Sequence, residues 1–379
     1  MIYFLVKANS ILYTTLTIIK RLVQVILCAT LALVIAFIGL FVYILLPLDA
    51  PVGGFYFNKT TTNFTEMYEA GLSGITFQMN EDGETDLNIL VMTDFHIMGL
   101  PLGVDSRTRR IITRLIEQEN PDLILILGDN LSSPFNHKAQ RRFINIMDSF
   151  NIPWAPILGN HDAQGKATEA YLISLLERRA NHPDSNLLFR TGPNNIGVLG
   201  NYFINIQNAD GQIIRTFIMT SSEESPWFNY DYAPYTLGQV DWYEWVVRGV
   251  QDKWGEYDIN SGTRKPIPSS LMLHIPLPVF ETAYTYGHIS GENRIGVWSS
   301  TTDNGFFERI QELGSTTHIV AGHDHCNDWI AYYKGIYFAS VPSATGNIGI
   351  LGAPSSMTGA MRITLTQSGE ITQTMVALR

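Results

Sequence analysis

Cysteine is nearly absent: Cys28 and Cys326 are the two in 379 residues. Cys28 lies in an apolar N-terminal run, so the rest of the chain holds no pair that could close a disulfide. Its core must be held by packing alone. Charge is also scarce, with 16% charged residues against 45% hydrophobic. That balance excludes a chain disordered over most of its length. Net charge is −10, and the first 48 residues carry Lys7, Lys20 and Arg21 with no acid, so the remainder is more acidic still. It has no basic stripe, and no nucleic-acid partner is expected. A small phosphorylated substrate is not excluded, because a metal site supplies its own positive charge. Internal repeats and low-complexity tracts are missing too. What remains is one large α/β domain with an appendage.

The appendage is the stretch Leu22–Leu46, 25 residues without a charge. As a helix it would reach roughly 38 Å, enough to cross a hydrocarbon core of about 30 Å with tilt. It is longer than the apolar region of a signal peptide, about 7–15 residues, so an uncleaved anchor is expected. Lys20 and Arg21 precede it and Asp49 follows. The positive-inside tendency then leaves the N-terminus in the cytosol and the body outside it. The expected organisation is a cytosolic segment 1–21, a transmembrane signal anchor 22–46, a stalk 47–85 and a catalytic domain 86–379. This is a single-pass type II membrane protein of the secretory pathway or cell surface, with its catalytic domain lumenal or extracellular. The stalk is rich in Gly, Thr and Asn, with only Gly74–Met79 reading as a short strand. It carries two glycosylation triplets, Asn58-Lys59-Thr60 and Asn63-Phe64-Thr65.

Beyond it, short apolar runs alternate with helical periodicity. Leu87–Met92, Leu123–Leu127 and Trp154–Leu158 read as buried strands. Helices are expected over Asp105–Glu119, Lys138–Phe150, Lys166–Ala180, Gln239–Val250 and Asn304–Leu313. Tyr202–Ile206 and Ile213–Met219 read as strands joined by a turn. Ser270–His274, His318–Val320, Trp329–Tyr333, Ile336–Ser340 and Met361–Thr366 complete the set. Alternation early and hairpins late predict two mixed sheets flanked by helices.

Polar groups cluster just after these strands: Thr93-Asp94-Phe95-His96, Gly128-Asp129-Asn130, Gly159-Asn160-His161-Asp162, Leu273-His274 and Gly322-His323-Asp324-His325. Any one of them is an ordinary turn. As an ordered set they bring together five of the nine histidines with carboxylates and an amide, a donor mixture suited to Zn, Mn or Fe rather than Ca or Mg. The glycines before Asp129, Asn160 and His323 are expected to permit sharp turns out of the strands.

The order resembles the metallophosphoesterase (calcineurin-like) superfamily, whose blocks run DxH, GDxx, GNH(D/E), a later His and GHxH. The likeness spans residues 87 to about 345. It is closer to the purple-acid-phosphatase-like branch that includes the fungal Dcr2 phosphatase. The segments similar to that branch are Ile152-Pro153-Trp154, Asn120-Pro121-Asp122-Leu123, Asn327-Asp328 and Gly238-Gln239-Val240-Asp241-Trp242. The resemblance implies a four-layer αββα sandwich and two divalent or trivalent metal ions. It implies that Asp94, His96 and His325 hold one ion, that Asn160, His274 and His323 hold the other, and that Asp129 bridges them. A bridging hydroxide would attack phosphorus in line with the leaving oxygen. His161 would serve the leaving side, with Asp162 fixing its tautomer.

Three departures stand out. Purple enzymes carry Tyr three residues after the bridging Asp, where this chain has Ser132, and Gly where it has His96. Neither purple colour nor an obligatory ferric ion is expected. The family's Asp-Ser after a later strand is here Thr220-Ser221. Around the site, His288 is expected in a solvated loop, Cys326 as a small buried filler, and Asn130 unmodified despite its Asn130-Leu131-Ser132 triplet. Trp227, Phe228, Tyr230, Tyr232 and Tyr235 read equally as a substrate rim or a packed loop. The activity implied is hydrolysis of phosphomonoesters on phosphoproteins or small molecules. The alternatives are a phosphodiesterase acting on lipid headgroups or nucleotides, and a non-catalytic metal-binding membrane receptor.

Overall fold

The computed structural model describes residues 2–80, 85–99, 104–225, 232–345 and 358–378. The chain divides into two compact units, Met1–Pro47 and Leu48–Arg379. The first is a single helix, α1 (Ile2–Leu45). Within it Tyr13–Tyr43 is long and apolar enough to cross a membrane, by length and composition, and its Leu, Ile, Val and Phe side chains are exposed. The helix also runs through residues 2–21, for which the sequence predicts no element.

The second unit begins with α2 (Phe64–Glu69) and β1 (Gly74–Gln78), followed by β2 (Leu87–Met92), α3 (Val104–Glu119), β3 (Leu123–Leu127), α4 (Asn136–Asp148), β4 (Trp154–Ile157) and α5 (Glu169–Ala180). Next come β5 (Tyr202–Gln207), β6 (Ile213–Thr220), α6 (Leu237–Trp254), the small hairpin β7 (Tyr257–Asp258) and β8 (Thr263–Arg264), and β9 (Ser269–Leu273). The remainder is α7 (Val279–Gly287), β10 (His288–Ser290), α8 (Phe306–Leu313), β11 (Thr316–Ala321), β12 (Ile330–Tyr333), β13 (Ile336–Ser340), β14 (Gly359–Leu365) and β15 (Ile371–Ala377).

Two large sheets result. The five-stranded one has the order β15-β14-β2-β3-β4, and the eight-stranded one β1-β5-β6-β9-β11-β13-β12-β10. Both are mixed. β2, β3 and β4 run parallel, as do β6, β9, β11 and β13, and antiparallel pairs follow at β2–β14, β6–β5 and β13–β12. The strands explain the layering through their period of two. On the eight-stranded sheet Phe217, Met219, Met272, Val320 and Ala339 face the core shared with β2–β4, α3, α4 and α5. The alternate residues Ile218, Leu271, Leu273, Ile319 and Phe338 face a second core with α6, α7 and α8. Helices thus cover the outer faces of two packed sheets, the four-layer arrangement expected.

The expected stalk is a correction. Residues 48–80 belong to the folded unit. Leu48 N donates to Lys166 O at 2.7 Å, and Asn195 bonds both the N–H and C=O of Phe57. Phe55, Phe57 and Phe64 are buried, with Phe64 against Trp245 (5.0 Å between centroids) and Phe203 (5.6 Å). β1 closes one edge of the eight-stranded sheet beside β5. Phe55 and Phe57 alternate, and Phe64, Met67 and Tyr68 keep helical spacing, each over too short a run to stand out among polar neighbours in the sequence. Asn58 and Asn63 remain on the surface, Asn63 as the N-cap of α2. Also unforeseen are α2, the β7–β8 hairpin, α7, β10 and β15. Phe64→Ala should therefore destabilise the protein by about 3 kcal/mol or more in equilibrium urea unfolding. A change near zero would show that this segment contributes nothing to the core.

Candidate metal centre

Every block of the set lies at the C-terminal end of a strand, where open α/β sheets gather ligand-binding loops. Asp94 and His96 follow β2, Asp129 follows β3, and Asn160 and His161 follow β4. His274 follows β9, and His323 and His325 follow β11. β2–β4 come from one sheet and β9 and β11 from the other, so the site is built where the two sheets meet. The loops after β2 and β3 are zipped together: His96 N donates to Asp129 O (3.0 Å) and Ile97 N to Asn130 O (2.8 Å).

The backbone there is strained. Asp94 (φ 58°), His96 (48°), Asp129 (49°) and His323 (70°) all lie in the left-handed region. Non-glycine residues avoid that region unless the surroundings impose it, and such residues gather at functional sites. The preceding glycines serve close approach more than turning. Only Gly128 of the three has positive φ (88°). A Cβ on Gly159 would stand 2.3 Å from Asp129 Oδ1, and one on Gly322 would stand 2.2 Å from Thr93 Oγ1.

Donor atoms converge in two groups. Asp94, His96, Asp129 and His325 form one, and Asp129, His274 and His323 the other. Within each group the ligating atoms lie within 4.8 Å of one another. Nε2 of His96 and His325 are 3.1 Å apart. Asn160 joins the second group, its Oδ1 lying 3.1 Å from His274 Nε2.

Each carboxylate has one oxygen tied down and one left over. Asp94 Oδ2 accepts from Thr93 Oγ1 (2.8 Å) and His323 N (3.1 Å), and Asp129 Oδ1 accepts from His161 N (2.8 Å). Asp94 Oδ1, Asp129 Oδ2 and His323 Nε2 are buried and make no well-aligned hydrogen bond, although Asp94 Oδ1 lies 3.1 Å from His325 Nε2 and Asp129 Oδ2 3.3 Å from His274 Nε2. Orphaned buried acceptors are costly, and here they all point inward. His274 Nδ1 donates to Leu127 O (2.6 Å), which turns its Nε2 towards Asp129.

The electrostatics agree with a site built for cations. Burial alone would raise Asp129, yet the charges of His274 and His161 hold it far below the usual carboxylate range. Burial likewise opposes ionisation of Asp94, and His325 overcomes it. His274 is pulled up to about 9, against burial, by Asp129. His323 is pushed down to about 3 by burial and by His274. Asp129 and Asp94 thus favour positive charge on His274 and His325, the place that cations would take on binding. The residues fit a binuclear centre, with Asp129 common to both halves.

His161 lies beside the centre, its Nε2 3.9 Å from Asp129 Oδ2 and its side chain about a third exposed. Its expected partner is a correction. Asp162 accepts from Gly159 N (2.7 Å) and Leu131 N (2.9 Å), with Asn130 Nδ2 at 3.4 Å. Those bonds knit the β3 and β4 loops together and leave Asp162 pointing away from the His161 ring. Burial and the charge of Asp129 push its carboxyl up. Gln164 takes the position instead: its Oε1 meets His161 Nδ1 at 2.6 Å, and its Nε2 donates to Ser225 O. Gln164 follows His161 by three residues on one turn, a spacing that could have pointed to it.

Other expectations resolve similarly. Ser221 accepts from Leu158 N (3.1 Å) and donates to Gly200 O, so it braces the end of β4. Asn130 is buried and bonded to Ile157 O, closed to glycosylation. His288 is exposed but sits on the edge strand β10 rather than in a loop. Cys326 is half-buried rather than buried. Tyr235 is core, bonded to Ser222 and Ile275 O, whereas Tyr232 packs edge-on against His323 at 4.5 Å. Trp227, Phe228 and Tyr230 lie outside the described residues. Beside Gly159 opens a cavity of about 430 Å³ lined by Ala163, Glu169, Ser222, Glu223 and Glu224.

Comparison with known proteins adds to this geometry. Residues 87–327 match the family described as calcineurin-like phosphoesterase. "Probable inactive purple acid phosphatase 14" of Arabidopsis thaliana is 28% identical over 255 residues, 62% of this chain and 61% of that one. "Phosphatase DCR2" of Saccharomyces cerevisiae is 26% identical over 244 residues, 59% of this chain and 39% of that one. The chain thus spans about three-fifths or less of the length of these relatives. A dimetal phosphatase structure from Danio rerio superposes with a TM-score of 0.46 at 9% identity, over 77% of this chain and 99% of that one.

The cavity generates a prediction. Burial pushes the Glu169 carboxyl up to about 7, and Glu224 and Glu223 add to it against the Leu199 N–H. A carboxyl whose folded pKa exceeds its unfolded 4.5 costs nothing below that pH. The cost grows as pH rises to 7 and is complete above it. Glu169→Gln should therefore stabilise the protein at pH 8 by about 1–3 kcal/mol and leave it unchanged near pH 4.5. Denaturation at the two pH values measures this, and an equal effect at both would contradict it.

Proposed function

The chain belongs to the calcineurin-like phosphoesterases, and we propose that it is a metal-dependent phosphatase hydrolysing phosphomonoesters. The observation that carries the reading is buried Asp129, common to both donor groups, whose Oδ2 makes no hydrogen bond and faces His274 and His96. Asp94, His96 and His325 would hold one ion, and Asn160, His274 and His323 the other, with Asp129 between them. Bound there, two such cations supply Lewis acidity and a water acidic enough to ionise near neutral pH. The side chains do the rest. His161, partly exposed and beside Asp129, is placed to donate to the leaving oxygen. Gln164 Oε1 accepts from Nδ1–H and orients the ring, so the proton given to the leaving oxygen is the second one, carried on Nε2 of the imidazolium. Buried walls around Asp94, Asp129 and His274 exclude bulk water from the donors.

Three plant relatives carry "inactive" in their names, which is the ground for a non-catalytic alternative. The complete donor set of this chain supports activity. His161→Ala should lower kcat by a hundredfold or so while metal content, measured by elemental analysis, stays at wild-type level. Asp129→Asn should deplete both metals. Equal loss of metal in His161→Ala would remove its assigned role. Metal-dependent turnover of an aryl phosphomonoester, abolished by chelation and restored by add-back, is expected. Preference for an aryl diester would replace the monoester reading with the diesterase one, and no turnover with any metal would leave the non-catalytic one.

We also infer that α1 anchors the protein with Lys20 and Arg21 on the cytosolic side and the catalytic body outside the cytosol. The length of the apolar helix, the flanking charges and the exposure of Asn58 and Asn63 support this. In sealed microsomes the body should resist added protease until detergent is present. Digestion without detergent would reverse the orientation.

A further inference from the structure

The turn from His161 to Thr168 joins β4 to α5 and carries both His161 and Gln164, the residue that meets its ring. Inside the turn, Gln164 N donates to His161 O (3.2 Å) and Gly165 N to Ala163 O (2.7 Å). The rest of its course is set from outside. Buried Asn136, at the start of α4, donates from Nδ2 to Asp162 O (3.1 Å) and to Ala167 O (2.9 Å), and its Oδ1 accepts from Ala167 N (2.8 Å). Lys166 N donates to Pro134 O at 3.0 Å. A Cβ on Gly165 would stand 2.6 Å from Asn136 Cγ, so the turn lies directly on that amide.

The remaining backbone groups at the end of the turn are taken by residues 48 and 49. Leu48 N donates to Lys166 O (2.7 Å), and Thr168 N donates to Leu48 O (2.9 Å), with Leu48 and Ala167 paired in parallel. Lys166 O and Thr168 N thus go to Leu48, while both backbone groups of Ala167 between them go to Asn136. The Leu48 side chain packs against the first core, which keeps the strap in place. Asp49 adds a second hold. Its Oδ1 accepts from Thr168 Oγ1 at 2.7 Å, across 119 positions of sequence. Thr168 is the N-cap of α5, and its Oγ1 accepts from Tyr171 N at 3.2 Å. A hydroxyl has one proton, and Asp49 takes it, so the lone pairs are left facing the helix. Strap and Asn136 therefore grip the end of the turn from two sides.

We propose that Leu48 and Asp49 are positioning residues for His161: by fixing Lys166 to Thr168 they hold the turn in the course that brings Gln164 to the imidazole. The inference rests on the reading of His161 as the acid that serves the leaving oxygen. Neither residue touches substrate, and both act through the turn. Small displacements of a catalytic group are costly, because proton transfer needs the donor within hydrogen-bond reach of the leaving atom. The cost depends on the leaving group. An alkoxide must be protonated as it departs, whereas para-nitrophenolate is a stable anion and leaves without help. A strap that aims His161 therefore matters for alkyl esters and little for activated aryl esters. A strap that merely stabilises the fold would affect both alike.

The test uses the metal-loaded full chain in detergent, with an alkyl phosphate and para-nitrophenyl phosphate as substrates. Leu48→Pro removes the N–H that bonds Lys166 O, and Asp49→Ala removes the acceptor for Thr168. On the alkyl ester, Leu48→Pro should lower kcat about tenfold and Asp49→Ala about threefold. Both should keep para-nitrophenyl phosphate within about twofold of wild type, with metal content unchanged. Asp49→Asn retains an acceptor and should restore most of the loss. In a His161→Ala background Leu48→Pro should cost nothing further, because the group it positions is gone. A readout independent of turnover is amide hydrogen exchange, which should quicken over residues 161–168 in Leu48→Pro and stay unchanged over 123–130. Equal losses on the two esters, or a loss that adds fully to that of His161→Ala, overturn the proposal, as does unchanged kcat in both strap variants. If Leu48→Pro does not fold, Asp49→Ala and its asparagine rescue decide the matter by the same comparison. A wild type that hydrolyses neither ester with any metal defeats the phosphatase reading itself, and the catalytic role of the strap with it, whatever the exchange rates show.

Discussion

Asp129 is ionised where almost no water reaches it. Its Oδ1 is committed to His161 N, its Oδ2 faces His274 and His96, and its backbone is left-handed. A buried carboxylate is tolerable only with positive charge close by. Here imidazoles supply that charge, and paired cations would supply more of it. Much of the surrounding structure follows from this need. Gly159 keeps a side chain away from the Asp129 backbone and carboxylate, Gly128 keeps one away from Gly159 and His274, and Asp162 ties the two loops together from behind. His274 is turned towards it by the carbonyl of Leu127, the last residue of the strand that delivers Asp129.

Two sheets are required to assemble that environment. One supplies Asp94, His96, Asp129, Asn160 and His161 from three parallel strands, and the other supplies His274, His323 and His325. Each loop alone is an ordinary turn. Packed against each other, they hold four non-glycine residues at positive φ, and the large apolar core between the sheets provides the stability that such strain consumes. The same logic extends outward. The turn carrying His323 and His325 is continuous with the buried Asp324 and Asn327, which hold the loop bearing Trp298. Metal donors and that loop therefore share one rigid support.

The strands and most helices were legible in the sequence because apolar periodicity is a local property. Leu123–Leu127 has five consecutive aliphatic residues and is a fully buried strand. The metal donors were legible for a different reason. Imidazoles and carboxylates recurring just after buried strands have few other uses, and their order is that of a known family. What local pattern could not reveal was residues 48–73, whose Phe55, Phe57 and Phe64 find their partners on Phe203 and Trp245 far along the chain.

The finer chemistry divides along the same line. From the sequence alone came the donor types, their order, the apolar N-terminal segment and the acidic character of the body, since each depends on residue identity and spacing. Only the tertiary structure decided that Gln164 rather than Asp162 meets the His161 ring. Both lie within three residues of it, and backbone direction determines which side chain turns towards the imidazole. Only the tertiary structure docked residues 291–298 on the turn that carries His323 and His325, through hydrogen bonds to residues 26 and more positions away. Which groups meet across such separations is set by how sheets and loops pack, and no periodicity in the chain encodes it.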